Sequence, residues 1–425
     1  KVYSNTYAFA AIKTDGSVIT WGQNNAWGTP DNATAQKLRT DVIEISSTDS
    51  GFAALKRDGS VVTWGIWGGD SSGVAENLKS GVINIYANYT GFAALKNDGS
   101  VVAWGGEEAD FARVKPQLQS GVREIYANKT SFAAVKEDGS VVSWGIGPCG
   151  GNSDTVSNQL AGNVISIVGT GATGQAGAAS ISGGAFAALK KDGSVVTWGD
   201  QTAGGNSSTV ASRLGSNVVE IKASSAAFAA LKQDGSVVTW GDAQCGGDSS
   251  AVSQLLQAGV VQITANDWAF AALKEDGSIV TWGRTDRGGD SSSVASQLTN
   301  VVSIADPGVN DQLVKSANGL TVWSNEDALR ISGRVVGMDP DSSENVTVCL
   351  SGQPISGLSM TPNGTWSYAP EPVTLQSLSE GEIKTIQVNY EIKDSNNAVT
   401  QNSINILIRG KNDFPAVTTA LATLP

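Results

Sequence analysis

The side chains best suited to engage a ligand stand at the most changeable positions of a repetitive chain. Before one recurring phenylalanine come Tyr7, Tyr89, Lys129 and the pair Asp267 and Trp268. After one recurring Trp-Gly pair come Asn24, Asn25 and Trp27, then Trp67, then Glu107, Glu108, Asp110 and Phe111, and finally Arg284, Asp286 and Arg287. Tryptophan and tyrosine offer flat apolar faces with a polar edge, while Asp, Glu, Asn and Arg hydrogen-bond hydroxyls and amides, so this set suits a sugar or a protein surface. The candidate ligand residues are Trp27, Trp67, Tyr89, Phe111, Asp267, Trp268, Arg284 and Asp286. Drift in unconstrained loops is the competing account.

Composition narrows the chemistry. The 425 residues contain no histidine, which excludes Ser-His-Asp and Cys-His catalysis and histidine-ligated zinc. Glycosidases that work with two carboxylates need no histidine, but Glu107, Glu108 and Asp110 share one loop and have no identifiable partner across a cleft. The chain is read as a binding protein rather than an enzyme. A net charge of −12 repels nucleic acid and anionic membranes. No apolar run reaches the roughly 18 residues that span a bilayer, so no membrane insertion is expected. Cys149, Cys245 and Cys349 are too few for a disulfide framework and read as lone thiols. The chain starts at Lys1 and shows no signal peptide, so it is expected to be part of a longer multidomain protein.

These residues are carried by a repeated unit of about 42 residues. Its turn aspartates are Asp15, Asp58, Asp98, Asp138, Asp192, Asp234 and Asp276, and a Gly/Ala/Ser-rich insertion near 169–184 lengthens one interval. An eighth, decayed copy runs from Gln312 to Ser324. Each unit reads as three strands, like Val82-Ile83-Asn84-Ile85-Tyr86, Phe92-Ala93-Ala94-Leu95-Lys96 and Val101-Val102-Ala103-Trp104. Asp-Gly between the second and third predicts a hairpin with glycine at positive φ. The small alanines suit a crowded position where sheets converge.

After Trp-Gly, an Asp or Asn at 70, 152, 206, 248 or 290 precedes Val and Leu at i, i+4 spacing, as in Val74 and Leu78. This predicts a short helix with the acid or amide as its N-cap. Alternating strand directions place all Asp-Gly turns on one rim and the variable loops together on the other. Lys13, Lys56, Lys96, Lys136, Lys190, Lys232, Lys274 and Lys315 ring the constant rim; the ordinary reading pairs them with the turn aspartates, and an anion site is the alternative.

A sheet unit of this size, unable to bury both faces alone, points to radial repetition. The stretch Ala227-Phe228-Ala229-Ala230-Leu231-Lys232-Gln233-Asp234-Gly235-Ser236-Val237-Val238-Thr239-Trp240-Gly241 resembles the repeat of the regulator of chromosome condensation family of β-propellers. The resemblance covers residues 1 to about 324 and implies seven blades, whereas eight hairpin copies suggest eight. Units here are shorter, and the capped segment replaces that family's Gln-Leu-Gly stretch, so its exchange-factor role on chromatin does not carry over.

The pattern changes after Asn325. Alternating strands and a turn at Pro362–Gly364 suggest an immunoglobulin-like β-sandwich over 326–412, with a linker at 413–425. Asn363-Gly364-Thr365-Trp366-Ser367-Tyr368, the run Ser379-Glu380-Gly381-Glu382 and the end Gly410-Lys411-Asn412-Asp413-Phe414-Pro415 resemble a VCBS-type, cadherin-like repeat. That resemblance implies the stalk of an RTX adhesin exported by type I secretion, in a calcium-rich extracellular setting. Calcium takes six to eight oxygens, and Glu326, Asp327, Asp339, Asp341, Asp394, Asn412 and Asp413 are the candidate ligands; ordinary loop acids are the alternative.

The resulting expectation is an all-β chain: a β-propeller of seven or eight blades over 1–325, then the sandwich. Its expected role is ligand binding in a secreted bacterial adhesin, directed at a cell-surface glycan or protein. A structural spacer is the runner-up, and a polysaccharide-acting enzyme the third reading.

Overall fold

The computed structural model describes residues 1–23, 28–106, 108–171, 183–301, 304, 314–316, 319–325, 331–334, 347–360, 365–369, 378, 382–393 and 399–409. Trp27, Asn24, Asn25, Glu107, the calcium candidates Glu326, Asp327, Asp339, Asp341, Asp394, Asn412 and Asp413, and most of the insertion near 169–184 lie outside them. Two compact units divide the chain: Lys1–Lys274 with Ile279–Thr299, and Glu275–Ser278 with Asn300–Pro425.

The first unit is all-β and of the β-propeller class, made of seven antiparallel sheets of three strands, which we number as blades 1 to 7. Blade 2 is typical, with strand A at Val42–Ser47, strand B at Gly51–Lys56 and strand C at Val61–Gly65. Strand B is central, and both of its faces meet protein. Ala53, Ala54, Ala93, Ala94, Ala229 and Ala230 are accordingly fully buried, which is why side chains no larger than a methyl recur there. Phenylalanine of strand B packs on tryptophan of strand C at 5.1–5.4 Å between centroids in each of the seven blades, stacked in all but blade 5, where Phe186 and Trp198 are tilted at 32°. Strand A carries a bulge after its first residue in blades 2 to 7.

The Asp-Gly hairpin forms as a turn followed by a left-handed glycine. In blade 2, Gly59 N–H donates to Lys56 O at 2.9 Å, and Gly59 has φ +75°. A Cβ there would stand 2.7 Å from the backbone nitrogen of Gly81, so both conformation and crowding demand glycine. The crowding comes from the next blade, because Val82 N–H donates to Gly59 O at 3.0 Å. The same bond links Val42 to Gly16, Val122 to Gly99, Val164 to Gly139, Val218 to Gly193 and Val260 to Gly235. The constant rim is thus constant because it ties each blade to the next.

Apolar packing follows the same order. One cluster joins blades 1 and 2 through Ala8, Ala10, Phe52 and Trp64, and another spans blades 5 to 7 through Leu189, Phe228, Trp240, Phe270 and Trp282. The segments after Trp-Gly supply buried leucines between blades, among them Leu78, Leu118, Leu160, Leu214 and Leu256.

In the second unit, strands Val314–Ser316 and Gly319–Asn325 form the hairpin of the eighth copy. That hairpin extends a five-stranded sheet, where Gly319–Asn325 runs parallel to Val399–Arg409, followed by Ile383–Lys393 and Thr347–Ser351. A three-stranded sheet of Ile331–Arg334, Thr365–Tyr368 and Leu358–Met360 completes it. Trp366 and Tyr368 of this sheet share a core with Val388, Tyr390, Ile404, Ile406 and Ile408 of the other.

Candidate functional site

The variable rim is organised by its own backbone ladder. In blades 1 to 3 the A–B turn donates an N–H to the next blade's A–B turn: Thr6 to Asp49 O, Asp49 to Tyr89 O and Tyr89 to Lys129 O, at 3.0–3.1 Å. Ser225 N–H and Asp267 O repeat the bond between blades 6 and 7. The loops after Trp-Gly are tied to the same turns. Thr48 Oγ1 donates to Trp67 O at 2.6 Å, Asn128 Nδ2 to Cys149 O at 2.7 Å, and Asn266 Nδ2 to Arg287 O at 2.9 Å. Both sets of variable loops therefore meet on one rim.

This framework brings several expected ligand residues together. Trp67 and Tyr89 lie 5.4 Å apart between ring centroids, tilted at 51°, and are 42% and 38% exposed although most aromatics of the blades are buried. Lys129 Nζ stands 5.6 Å over the Tyr89 ring. Burial first, and the charge of Asp49 second, hold the Tyr89 phenol above its ordinary pKa. Thr6 Oγ1 donates to Asp49 Oδ1 at 2.7 Å, and exposed Tyr7 adjoins Thr6. The result is a row across blades 1 to 4 with aromatic faces, a cation and a carboxylate. Asp49 escaped the sequence reading. It occupies the same step of the A–B turn as Tyr89, Lys129 and Asp267, and aligning that column would have found it.

A second group sits on blade 7. The Arg284 guanidinium lies 5.0 Å over the half-buried Trp268 ring, and its Nε donates to Asp286 Oδ1 at 2.7 Å. This bond holds the Asp286 carboxyl below its usual pKa. Asp267 contributes its backbone to the ladder. Asp286 and Trp268 already engage Arg284 from two sides, so the group is ordered before any ligand arrives.

Phe111 is corrected. It lies on a helix at Glu108–Val114, is only 6% exposed, and packs edge-on against Trp144 at 5.6 Å, so it serves the core and not the rim surface. Asp110 is also structural: its Oδ2 accepts from Gly145 N–H at 2.8 Å, and Arg113 Nε donates to its Oδ1 at 3.1 Å. The amphipathic Phe at that spacing belonged to a helix that displaces the usual loop.

Two further sequence readings change in detail. The lysines of the constant rim mostly serve backbone carbonyls: Lys96 donates to Asn77 O, Lys136 to Gln117 O, Lys190 to Gln159 O and Lys274 to Leu255 O, at 2.7–3.1 Å. Among the described residues, Lys13 alone of this ring shows the expected ion pair, with Asp15 at 3.2 Å. The acids and amides before the Val/Leu pattern accept from the N–H two residues on, as Asp70 does from Ser72 and Asp248 from Ser250. They form turns that lead into 3₁₀ segments, one residue ahead of a true N-cap. Among the described residues, no group of three acids or thiols comes together as a metal site.

No protein-family model matches the chain, and no curated protein matches it. Solved structures do. Yeast RCC1 (Prp20), in a crystal structure with Kap60 bound, shares 15% identity over 73% of this chain and 75% of that one, with a TM-score of 0.35. Prp20p from Saccharomyces cerevisiae, in a study that includes its binding to Gsp1p and histones, gives 16% over 73% and 77%, with a TM-score of 0.34. The computationally designed Ika8 protein gives 14% over 66% and 82%, with a TM-score of 0.31.

Proposed function

We propose that this chain is a ligand-binding region of a secreted bacterial surface adhesin, and that the row on blades 1 to 4 receives a glycan or protein of a target cell. The observation that carries the reading is the exposed Trp67–Tyr89 pair, flanked by Lys129 and Asp49, on a rim whose backbone is fixed by the inter-blade ladder. A sugar ring can stack on the aromatic faces while its hydroxyls meet the carboxylate and ammonium; a protein ligand can bury an apolar anchor there. The second unit fits the role of an immunoglobulin-like stalk module in a longer, calcium-dependent extracellular chain. The cadherin-like motif around Trp366 supports that reading, as does the acidic, histidine-free composition.

The test is a glycan and peptide array probed with the whole chain, with and without calcium, followed by affinity measurements on Trp67→Ala and Tyr89→Ala. Each variant is expected to weaken binding roughly ten-fold or more, in line with loss of a buried aromatic anchor. Unchanged affinity in both would remove the row as the site.

A further inference from the structure

Hydrogen-bond parity decides which way the outer strand of a blade points its peptide groups. In blade 5, strand C is Val195–Gly199. Lys190 N–H donates to Ser194 O at 2.9 Å and Asp200 N–H to Gly184 O at 3.0 Å, so between them Val196 and Trp198 bond to strand B. Val195, Thr197 and Gly199 therefore point theirs away from the sheet. Val195 N–H is taken by Leu214 O at 3.0 Å. Val195 O, Thr197 N–H, Thr197 O and Gly199 N–H have no partner among the described residues. In front of them lies a trough of about 670 Å³, walled by Thr155, Val156 and Gln159 on one side and by Ser208, Ala211 and Leu214 on the other. The strand and both walls belong to the first unit.

Two neighbouring blades cover this edge with their own chain. In blade 4, Asp110 Oδ2 accepts from Gly145 N–H at 2.8 Å, while Arg113 Nη2 donates to Ser143 O at 3.4 Å and Gly151 O at 3.1 Å. Gly145 and Ser143 match Gly199 and Thr197 in register. In blade 6, Arg213 Nη2 donates at 2.7 Å to the carbonyl of Val237, the match of Val195. The residue that faces blade 5 from the place of Arg213 is Gln159, each standing one before a buried leucine. Gln159 makes no such bond among the described residues. Charged side chains laid on an edge strand are a common protection against pairing, and blade 5 has none there.

We propose that the outer edge of blade 5 is a second interaction surface, which takes an extended segment of a protein partner as a fourth strand. The occupant follows from the groups it would meet. Along the strand they run acceptor, donor, acceptor, donor, which is the pattern that an extended backbone complements. Propeller blades typically have four strands and blade 5 has three, so the added segment completes the sheet. Lys190 is the one charged side chain lining the trough, and its Nζ already donates to Gln159 O at 3.0 Å. The segment that fits is therefore uncharged, with small or β-branched side chains against Val156 and Ala211. The surface does not involve the row on blades 1 to 4.

A phage library of random heptapeptides, selected on the full chain and counter-selected on Ala211→Trp, tests this. Ala211 is exposed, so an indole there fills the trough and leaves the fold in place, with circular dichroism as the check. Synthetic peptides from the selected clones are expected to bind the wild-type chain at least ten-fold more tightly than Ala211→Trp. Thr155→Trp, on the opposite wall, is expected to weaken them as much. N-methylation of alternate peptide nitrogens removes the donors and is expected to lower affinity at least ten-fold. Trp67→Ala is expected to leave this binding unchanged, so failure here and failure of the row are told apart. A selection without discriminating clones overturns the proposal, and so do peptides indifferent to N-methylation. A chain whose mass in sedimentation rises with concentration, but not in Ala211→Trp, would put a second copy in the trough and overturn it. Peptides that bind only after residues 172–182 are replaced by a Gly-Ser linker would mean that the chain fills its own trough, which overturns it as well.

Discussion

The turn aspartates show how one side chain can serve both geometry and pH response. Asp58 Oδ1 accepts from Ser60 Oγ at 2.6 Å and Ser60 N–H at 2.9 Å, and the pattern recurs at Asp15, Asp98, Asp138, Asp192, Asp234 and Asp276. The serine hydroxyl, then the serine N–H, hold the Asp58, Asp138, Asp192 and Asp234 carboxyls below the ordinary carboxylate value. At Asp15 the same bonds bring the pKa down to about 2. A depressed native pKa means that the unfolded chain takes up protons first as the pH falls. The stabilisation is therefore complete above the unfolded value of about 4 and is lost on the way down toward 2. Thermal melting between pH 6 and pH 2 is expected to show a steep loss below about pH 4, and Asp234→Asn to flatten that slope slightly. A melting temperature independent of pH across this window would refute the assignment.

At the scale of elements, the unit of construction is the joint between one blade's tryptophan and the preceding blade's glycine carbonyl. Trp240 is 3% exposed and donates to Gly204 O, whereas Trp144 is fully buried and its Nε1–H has no partner among the described residues; the helix bearing Phe111 stands where the other blades have their glycine loop. Trp240→Phe leaves a buried carbonyl unpaired and is expected to lose about 1–3 kcal/mol beyond the change in packing. Trp144→Phe removes a donor with no partner among the described residues, so it is expected to lose packing alone. Urea unfolding of the two variants should rank Trp240→Phe as the more destabilised; equal losses would mean that the hydrogen bond contributes nothing net. Much of this level was legible in the sequence. The alternation around Asp-Gly gave strands B and C, and the alanine pair gave the crowded centre. The short segments after Trp-Gly were harder, because Val and Leu at i, i+4 fit one turn of either helix type, and the tight loop leaves room only for 3₁₀. Asp49 was hidden because its column changes from a hydroxyl at Thr6 to a ring at Tyr89 and a cation at Lys129, and only the ladder makes them one row.

The largest scale is set by two separate cores. Blade residues such as Phe228 and Trp240 pack among blades, while Trp366, Val388 and Ile406 form a cluster of their own. Two cores without shared residues predict two calorimetric transitions. The proposed calcium ligands, from Glu326 to Asp413, all belong to the second unit. A cation bound only by the folded state stabilises that state by about 3 kcal/mol when its free concentration is a hundred times Kd. For a unit of this size, such a gain moves its midpoint by roughly 10 °C. Adding a chelator is therefore expected to lower one transition and leave the other in place. The sensitive transition should be the one that survives in a chain beginning at residue 300. A chelator that shifts neither transition removes calcium from the account, and one that shifts the blade transition moves the ion to the other unit.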